Sequence, residues 1–237
     1  MNIMKLIKYT AIALLTLAVA GCKDFLTEEP ESFLSEGQYY KTQADAINAV
    51  NAVYFLLNSG GSTIQTPYNT LFNTGMNMAS DDEDPGPGAT NPDVRSLSVL
   101  AHSSANLRIY EIWQQHYAAI KKTNVVLEKV PSIDFDAQLK ERLLGEAKFL
   151  RALYYFNLVR LYGDVPIVTE YQKFVSASEY PVAKSPAGEV YAQIEKDLTD
   201  AIGNLPPSHS GADLGRATKW AATGLLRSER ASCRERV

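Results

Sequence analysis

The stretch ERLLGEAKFLRALYYFNLVRLYGDVPIV, residues 141–168, decides the fold. Its apolar side chains recur at steps of three and four residues, which predicts a helix that is apolar over more than half of its circumference. A helix of this kind must be enclosed by other elements. Gly163 and Pro166 end it, and a short extended segment follows. The two predicted buried stripes are Leu143, Ala147, Leu150, Tyr154, Leu158 and Leu161, and Phe149, Ala152, Phe156 and Val159.

Four further helices are predicted around this one. Their apolar periods cover Thr42 to Leu57, Leu107 to Val130, Ser185 to Leu205 and Arg216 to Leu226. The short link after Val130 predicts an antiparallel hairpin with the central helix. Ser185 is the expected cap of the helix that ends at Leu205, with Pro186 just inside it. Residues 63–103 have no sustained period and predict a long loop region, with one short helix near residues 69–78.

Composition sets the broad class. The chain has 237 residues, 46% of them hydrophobic, and a net charge of −4. This is enough for one core of ordinary size. The mildly acidic balance lacks the basic surface of a nucleic-acid binder, so no nucleic-acid partner is expected. Two cysteines, Cys22 and Cys233, cannot form a disulfide scaffold.

The N-terminus reads as a processing signal. Residues 1–8 are basic, and the apolar run of residues 9–20 is too short to span a bilayer. Val19-Ala20-Gly21-Cys22 resembles a bacterial lipobox. The sequence therefore predicts a signal peptide over residues 1–21 and acylation of Cys22, which would anchor the protein on a membrane without crossing it. The alternative is an ordinary secretory signal with a chance cysteine.

No catalytic motif is found. His102, His116 and His209 are far apart and lack ligands at metal spacing, and His116 falls on the buried side of its helix. No nucleophile elbow, phosphate loop or dinucleotide fingerprint occurs, so no catalytic residue, metal or cofactor is expected. Two carboxylate pairs, Glu141 with Glu146 and Glu195 with Asp197, have helical spacing. They are interpreted as solvated faces, with Arg142 and Glu146 forming an ordinary surface pair.

The densest acidic run, Asp81-Asp82-Glu83-Asp84, is the one polar candidate site. Carboxylates accept hydrogen bonds from sugar hydroxyls and coordinate calcium, but the spacing is not that of an EF-hand. A solvated loop is the favoured interpretation. Tyrosines can stack on sugar rings, yet most of the thirteen lie on predicted core faces, as do Trp113 and Trp220. The expected exposed aromatics are Tyr39, Tyr40 and Tyr68.

The exact order of residues in the central stretch is informative, as well as its apolar period. AKFLRALYYFNLVRLYGDVPIV, residues 147–168, closely resembles the most recognisable segment of the SusD/RagB family of nutrient-binding outer-membrane lipoproteins. The start at Cys22, of the form C-x-D-F-L-x-x-x-P, is similar to the mature start of family members. SPAGEVYAQIEKDL and GRATKWAATGLL resemble the helices that follow the central one. The resemblance runs, with gaps, over residues 22–226.

This resemblance implies a mostly α fold, an irregular tetratricopeptide-like helical solenoid with long loops. It implies a surface-exposed, lipid-anchored outer-membrane protein that is not an enzyme. Such a protein binds an oligosaccharide, or another oligomeric nutrient such as a peptide, and delivers it to a SusC-like TonB-dependent transporter. Ser80, Asp81 and Asp82 match an acidic S-D-[DE] that family members carry near the ligand groove. The ligand-binding candidates are therefore Asp81 and Asp82, and Tyr68 is added to them as one of the expected exposed tyrosines.

Two alternatives stay open. The first is a helical-repeat scaffold that binds a protein partner and no glycan, and the second is a lipid-anchored hydrolase using buried carboxylates. The tail of residues 227–237, RSERASCRERV, lacks the apolar face that a further family helix would have. The hypothesis is that this tail is foreign or frame-shifted sequence, and a genuine short paralogue is the alternative.

Overall fold

The computed structural model describes residues 39–57, 68, 76–171 and 183–234. Within these ranges six α-helices follow one another, with short 3₁₀ turns at Phe55–Leu57, Val130–Ser132 and Gly211–Asp213. The contacts from Tyr40 onward form one compact unit. The helices are α1 Gln43–Tyr54, α2 Pro92–Ser98, α3 Leu107–Lys129, α4 Ala137–Tyr162, α5 Ala187–Asn204 and α6 Lys219–Arg234.

The helix α1 begins at a reciprocal cap. The backbone N–H of Asp45 donates to Thr42 Oγ1 over 3.2 Å, and the Asp45 carboxylate accepts from the backbone N–H of Thr42 at 2.9 Å. This capping box satisfies two of the amides that an isolated helix end leaves unpaired. Ala46, Val50 and Val53 form the buried face. The helix predicted from Thr42 is confirmed.

The helices α3 and α4 form the predicted hairpin. Asn106 caps α3 by accepting from the amides of Arg108 and Ile109, and Asp136 caps α4 by accepting from Leu139 N at 2.7 Å. Gly163 follows the last turn of α4 with φ of +74°, which an L side chain rarely adopts. The central helix thus ends where its sequence predicts.

The helix α4 is the centre of the molecule, because it contacts α1, α3, α5 and α6. The first predicted stripe is fully buried from Leu143 to Leu158, and most of the second stripe is buried too. Leu161, in the last turn of α4, is the exception in the first stripe, with 44% of its surface exposed. The predicted enclosure of the central helix is confirmed, and the prediction that Leu161 is buried is wrong.

The start of α5 differs from the prediction. Pro186 occupies the cap position and no side chain of α5's own first turn caps it. Asp164, just past the end of α4, accepts from the backbone N–H of Ala187 at 3.0 Å and from Lys184 at 3.1 Å. The hydrogen bond from Lys184 lowers the pKa of Asp164. The cap therefore comes from another element and not from Ser185.

Two of the carboxylates assigned to solvated faces are in fact buried. Glu146 accepts from Arg216 at 2.9 Å and lies 3.5 Å from Arg142, while Asp213 pairs with both arginines at 2.8 and 2.7 Å. Burial raises the pKa of Glu146 and Arg216 opposes this effect. Asp197 is equally enclosed, against Arg151. The sequence prediction failed here because the partners of these groups are supplied by distant residues.

The last helix extends further than predicted, and a different side of it is buried. It continues past Leu226 to Arg234. Trp220, expected in the core, is 64% exposed, whereas Trp113 is half-buried with its ring against Tyr117 and Tyr162. The helical conformation of the tail does not test whether residues 227–237 are foreign, so that hypothesis stays a prediction.

The described residues contain no β-strand, only a single bridge between Val165 and Ser185. The mostly α class is therefore confirmed. Among the described helices, none combines the length and the apolar content needed to cross a membrane.

Candidate functional site

The acidic run lies in an exposed loop with a defined backbone. Ser80 Oγ donates to the carbonyl of Asn77 at 2.7 Å and accepts from the amide of Asp82 at 3.2 Å. Asp84 accepts from the amide of Gly86 at 2.6 Å. The carboxylates of Asp81 and Asp82 point into solvent, where they can accept hydrogen bonds from hydroxyl groups.

The helix α2, which the sequence did not predict, supports this loop. Its Arg95 donates from Nε to the carbonyl of Ala89 at 2.5 Å and from Nη2 to the carbonyl of Gly86 at 3.2 Å. One guanidinium thereby holds the turn that follows the acidic run. Asn91 caps α2 and Pro92 is its first residue, a start signal that the sequence did contain.

Tyr68 occupies a different environment from the one predicted. It is half-buried, and its hydroxyl accepts from Asn157 Nδ2 of α4 at 3.4 Å. Burial raises the pKa of Tyr68. Asn157 also approaches Nε2 of His116 at 3.3 Å, so Tyr68 joins a polar chain that leads into the core. Its ring is not an open stacking platform.

His116 is buried, as predicted. Its Nδ1 donates to the carbonyl of Ile112 at 2.7 Å, which leaves Nε2 to accept from Asn157. Burial lowers the pKa of His116 to about 4, so the ring is neutral at pH 7. A neutral, fully bonded histidine on a core face is a structural group.

The predicted site residues that the structure describes lie in two different settings. Asp81 and Asp82 lie in the exposed loop, Tyr68 contacts α4, and Cys22 lies outside the described residues. Tyr39 and Tyr40 are half-buried too. The prediction that these three tyrosines are exposed was therefore wrong. Tyr110, on the first turn of α3, is exposed instead. Within the described ranges no group of three or more His, Cys, Asp or Glu side chains could hold a metal ion.

A second feature, at the middle of α4, was not predicted. Arg151 forms a bidentate pair with Asp197, at 2.8 Å from Nε and 2.7 Å from Nη2. Its Nη1 donates to Asn124 Oδ1 at 2.9 Å and to the carbonyl of Thr169 at 3.1 Å. All three side chains of this polar cluster are buried. The cluster ties α3, α4 and α5 to the segment that leaves α4.

That exit segment, residues 163–170, is held mainly by side chains. Tyr155 Oη donates to the carbonyl of Val168 at 2.9 Å and accepts from its amide at 2.7 Å. Asn124 donates to the same carbonyl, and Tyr117 donates to the carbonyl of Pro166 at 2.7 Å. Burial raises the pKa of Tyr155 to about 12. The exit segment therefore leaves the helices along a fixed path.

An open groove of about 760 Å³ lies at the opposite end of α4 from the exit segment. Its walls include Asp136 and Arg142 of the α4 start and His209 and Asp213 of the α5–α6 connection. None of the predicted ligand-binding residues lines it.

Comparison with known proteins agrees with the helical architecture. Residues 24–228 match the SusD-like family described as "Starch-binding associating with outer membrane". SusD-like protein P38 of Formosa agariphila is 32% identical over 207 residues, covering 85% of this chain and 38% of its own length. SusD-like protein P25 of the same organism is 26% identical and covers 92% and 42%. The chain thus spans about two fifths of the length of these relatives.

A solved structure named as a laminarin-binding SusD-like protein superposes with a TM-score of 0.69 and 32% identity. The match covers 81% of this chain and 40% of that one. A SusD superfamily protein from Bacteroides vulgatus gives a TM-score of 0.70 at 24% identity, which supports the fold alone. The chain belongs to the SusD/RagB family, and its fold is the tetratricopeptide-like helical arrangement of that family.

Proposed function

We propose that this protein is a surface-exposed lipoprotein that captures an oligosaccharide, or another oligomeric nutrient, and delivers it to a SusC-like TonB-dependent transporter. The match of residues 24–228 to a family described as starch-binding carries this proposal. The name of the laminarin-binding relative also supports a carbohydrate ligand. The proposed boundaries are a signal peptide over residues 1–21, a SusD-like helical region over 22–226 joined to lipid at Cys22, and the atypical tail from 227.

Within this region, the acidic loop is the proposed contact with ligand hydroxyls. Asp81 and Asp82 are exposed, and Arg95 fixes the turn that follows them, so the carboxylates are presented on an ordered backbone. The proposed mode of action is binding without chemistry. Two of the four carboxylates that a hydrolase would use, Glu146 and Asp197, are buried and paired with arginines. Neither can reach a glycosidic bond as an acid or a base.

Calorimetric titration of the purified protein with laminarin and amylopectin oligosaccharides tests the proposal. We expect saturable binding without turnover. The double variant Asp81→Asn/Asp82→Asn should bind about five- to tenfold more weakly, because each neutral amide is a poorer acceptor than a carboxylate. Asp134→Asn, an exposed carboxylate in the α3–α4 connection, is the matched control and should bind like the wild type.

Each contrary outcome identifies an alternative. Release of reducing ends from the titrated glycan would favour the hydrolase. Co-purification with the transporter, without binding of any glycan or peptide tested, would favour the protein-interaction scaffold. Equal affinity of the double variant and the Asp134→Asn control would remove the acidic loop from the proposed site.

A further inference from the structure

A buried carboxylate lies on the face of α6 that packs against other helices, chiefly against α5. This face includes Ala222, Leu225, Leu226 and Glu229, which recur at steps of three and four residues. Ala222 is fully buried, and only 1% of the surface of Glu229 is exposed. Glu229 therefore occupies a helical position at which packing favours an apolar side chain.

Glu229 lacks the partners that a buried charge requires. Its Oε2 accepts no hydrogen bond from any residue that the structure describes. The adjacent cation, Arg230, is engaged elsewhere, because its Nε donates to Glu195 of α5 at 2.8 Å. An enclosed carboxylate without a cation or a donor is stable mainly in its neutral form, since the ion loses its hydration on burial. The packed face of α6 thus favours protonated Glu229.

The charged groups around Glu229 do not compensate an ionised carboxylate. Glu195 faces it from α5 with a like charge. Burial raises the pKa of Glu229 to about 7, the charge of Glu195 adds to this rise, and Arg230 opposes it. The other cations at the contact of α4 with α5 are already paired: Arg151 with Asp197 and Lys148 with Asp200, both at 2.7 Å, and Lys196 with Asp200 at 3.6 Å.

We propose that the last two turns of α6, residues 227–234, are a proton-controlled element. They stay docked on α5 while Glu229 is protonated, and they separate from α5 when Glu229 ionises, because separation returns the carboxylate to water. The family match ends at residue 228, so the inference concerns this chain's own sequence. It rests neither on the proposed function nor on the origin of residues 227–237.

The direction of the pH dependence follows from proton linkage. In the separated form Glu229 ionises at its ordinary pKa of about 4.3, whereas in the docked form it ionises near pH 7. Between these values the separated form binds fewer protons, so a rise in pH favours separation. The equilibrium constant for separation should therefore increase about 10- to 100-fold from pH 5 to pH 8.

Hydrogen exchange in the purified protein, followed by NMR at the amides of residues 230–233, tests the proposal. Protection factors at several pH values remove the intrinsic pH dependence of exchange. We expect protection of these amides to fall about 10- to 100-fold from pH 5 to pH 8, and protection in the buried middle of α4 to change less. Glu229→Gln, which resembles the protonated acid, should keep constant protection. Asp134→Asn, which removes an exposed carboxylate from the α3–α4 connection, is the matched control and should behave like the wild type.

Two further measurements make the test independent of the stability of Glu229→Gln. Glu195→Gln removes the like charge and frees Arg230, so the fall in protection with pH should be smaller than in the wild type. NMR titration of the Glu229 carboxyl carbon in the wild type should give a midpoint near pH 7.

Three outcomes would overturn the inference. The first is a midpoint for Glu229 near its ordinary pKa. The second is an equal fall in protection in the wild type and in Glu229→Gln, which would assign the opening to fraying of the helix end. The third is weak protection of these amides at every pH, which would show that the end of α6 does not dock on α5.

Discussion

At the scale of single residues, Gly145 lies where α4 packs closely against the end of α5. A Cβ atom added here would lie 2.9 Å from Cβ of Asn204 and 3.3 Å from Cγ of Leu205. The Asn204 Cβ is fixed by its own backbone, so it cannot rotate away. We expect Gly145→Ala to destabilise the protein by about 1 to 3 kcal/mol, the usual cost of overpacking, even though alanine is the better helix former by about 1 kcal/mol.

The control for this variant is Gly224→Ala in α6, where nothing lies within 4 Å of the added Cβ. Here only helix propensity acts, and we expect a stabilisation of about 0.5 to 1 kcal/mol. Urea unfolding followed by circular dichroism measures both. Stabilisation of both variants by the same amount would show that α4 and α5 are less tightly packed at Gly145 than the structure indicates.

Single residues also show what sequence reasoning could not reach. The period that placed Glu146 on α4 was correct, yet Glu146 was assigned to a solvated face. Its burial depends on Arg216, which is 70 positions away in the chain. Trp220 was assigned to the core although its helix leaves it exposed, because an aromatic residue within a helical pattern does not reveal which side its neighbours cover.

At the scale of elements, the bidentate pair of Arg151 and Asp197 links α4 to α5. Replacing Arg151 with methionine leaves the Asp197 carboxylate buried without its cation, which costs about 3 to 5 kcal/mol. Replacing both residues, as in Arg151→Met/Asp197→Leu, removes the unpaired charge as well as the pair. We expect the double variant to recover a large part of that loss, and unfolding by urea of the singles and the double measures it as a double-mutant cycle.

Hydrogen exchange in the exit segment distinguishes a local effect of the Arg151 cluster from a general loss of stability. Arg151→Met also removes the hydrogen-bond donor to the carbonyl of Thr169. Hydrogen exchange of the Val168 amide in the exit segment should therefore be faster in the variant than in the wild type. The increase should be smaller for the amides of α1, which this cluster does not touch. Additive free-energy losses in the two single variants would contradict the proposed coupling.

The approximate bounds of the long helices followed from their apolar period, and the end of α4 followed from Gly163. Their contacts to other elements did not. Asp164 caps α5 from 23 positions earlier in the chain, and no local pattern marks that bond. The helix α2 was missed although Asn91 and Pro92 signalled it, because a seven-residue helix is too short to show a period.

At the scale of the whole molecule, His116 contributes to the pH dependence of the free energy of unfolding. Its pKa is about 4 in the folded protein and near 6.5 when unfolded. Between these values the unfolded chain binds the extra proton, so the free energy of unfolding falls as pH decreases from about 6.5 to about 4. The loss from this group is on the order of 2 to 3 kcal/mol.

His116→Gln removes this titration, so its stability should change less than that of the wild type over the same pH window. Glu146 acts in the opposite direction, because its pKa is raised on folding, and it is present in both proteins. The difference between the two urea-unfolding curves, measured at several pH values, therefore isolates His116. Parallel curves from pH 7 to 4 would contradict the assignment.

The fold class and the family could be inferred from residues 147–168 and the flanking helices, since both follow from patterns local to the chain. The candidate site could be inferred only in part. The exposure of Asp81 and Asp82 agrees with a loop, but Tyr68 is turned toward Asn157, which is 89 positions away in the chain. A binding surface arises from elements distant in sequence, which a single chain read locally cannot assemble.

The exit segment is anchored through its main chain. The carbonyls of residues 168–170 and the amide of Val168 form hydrogen bonds with the side chains of Tyr155, Asn124 and Arg151. The outward side chains of Thr169 and Glu170 take no part in that anchorage. Substitutions at these two positions can therefore change the surface chemistry of the segment and leave the path of its main chain unaltered.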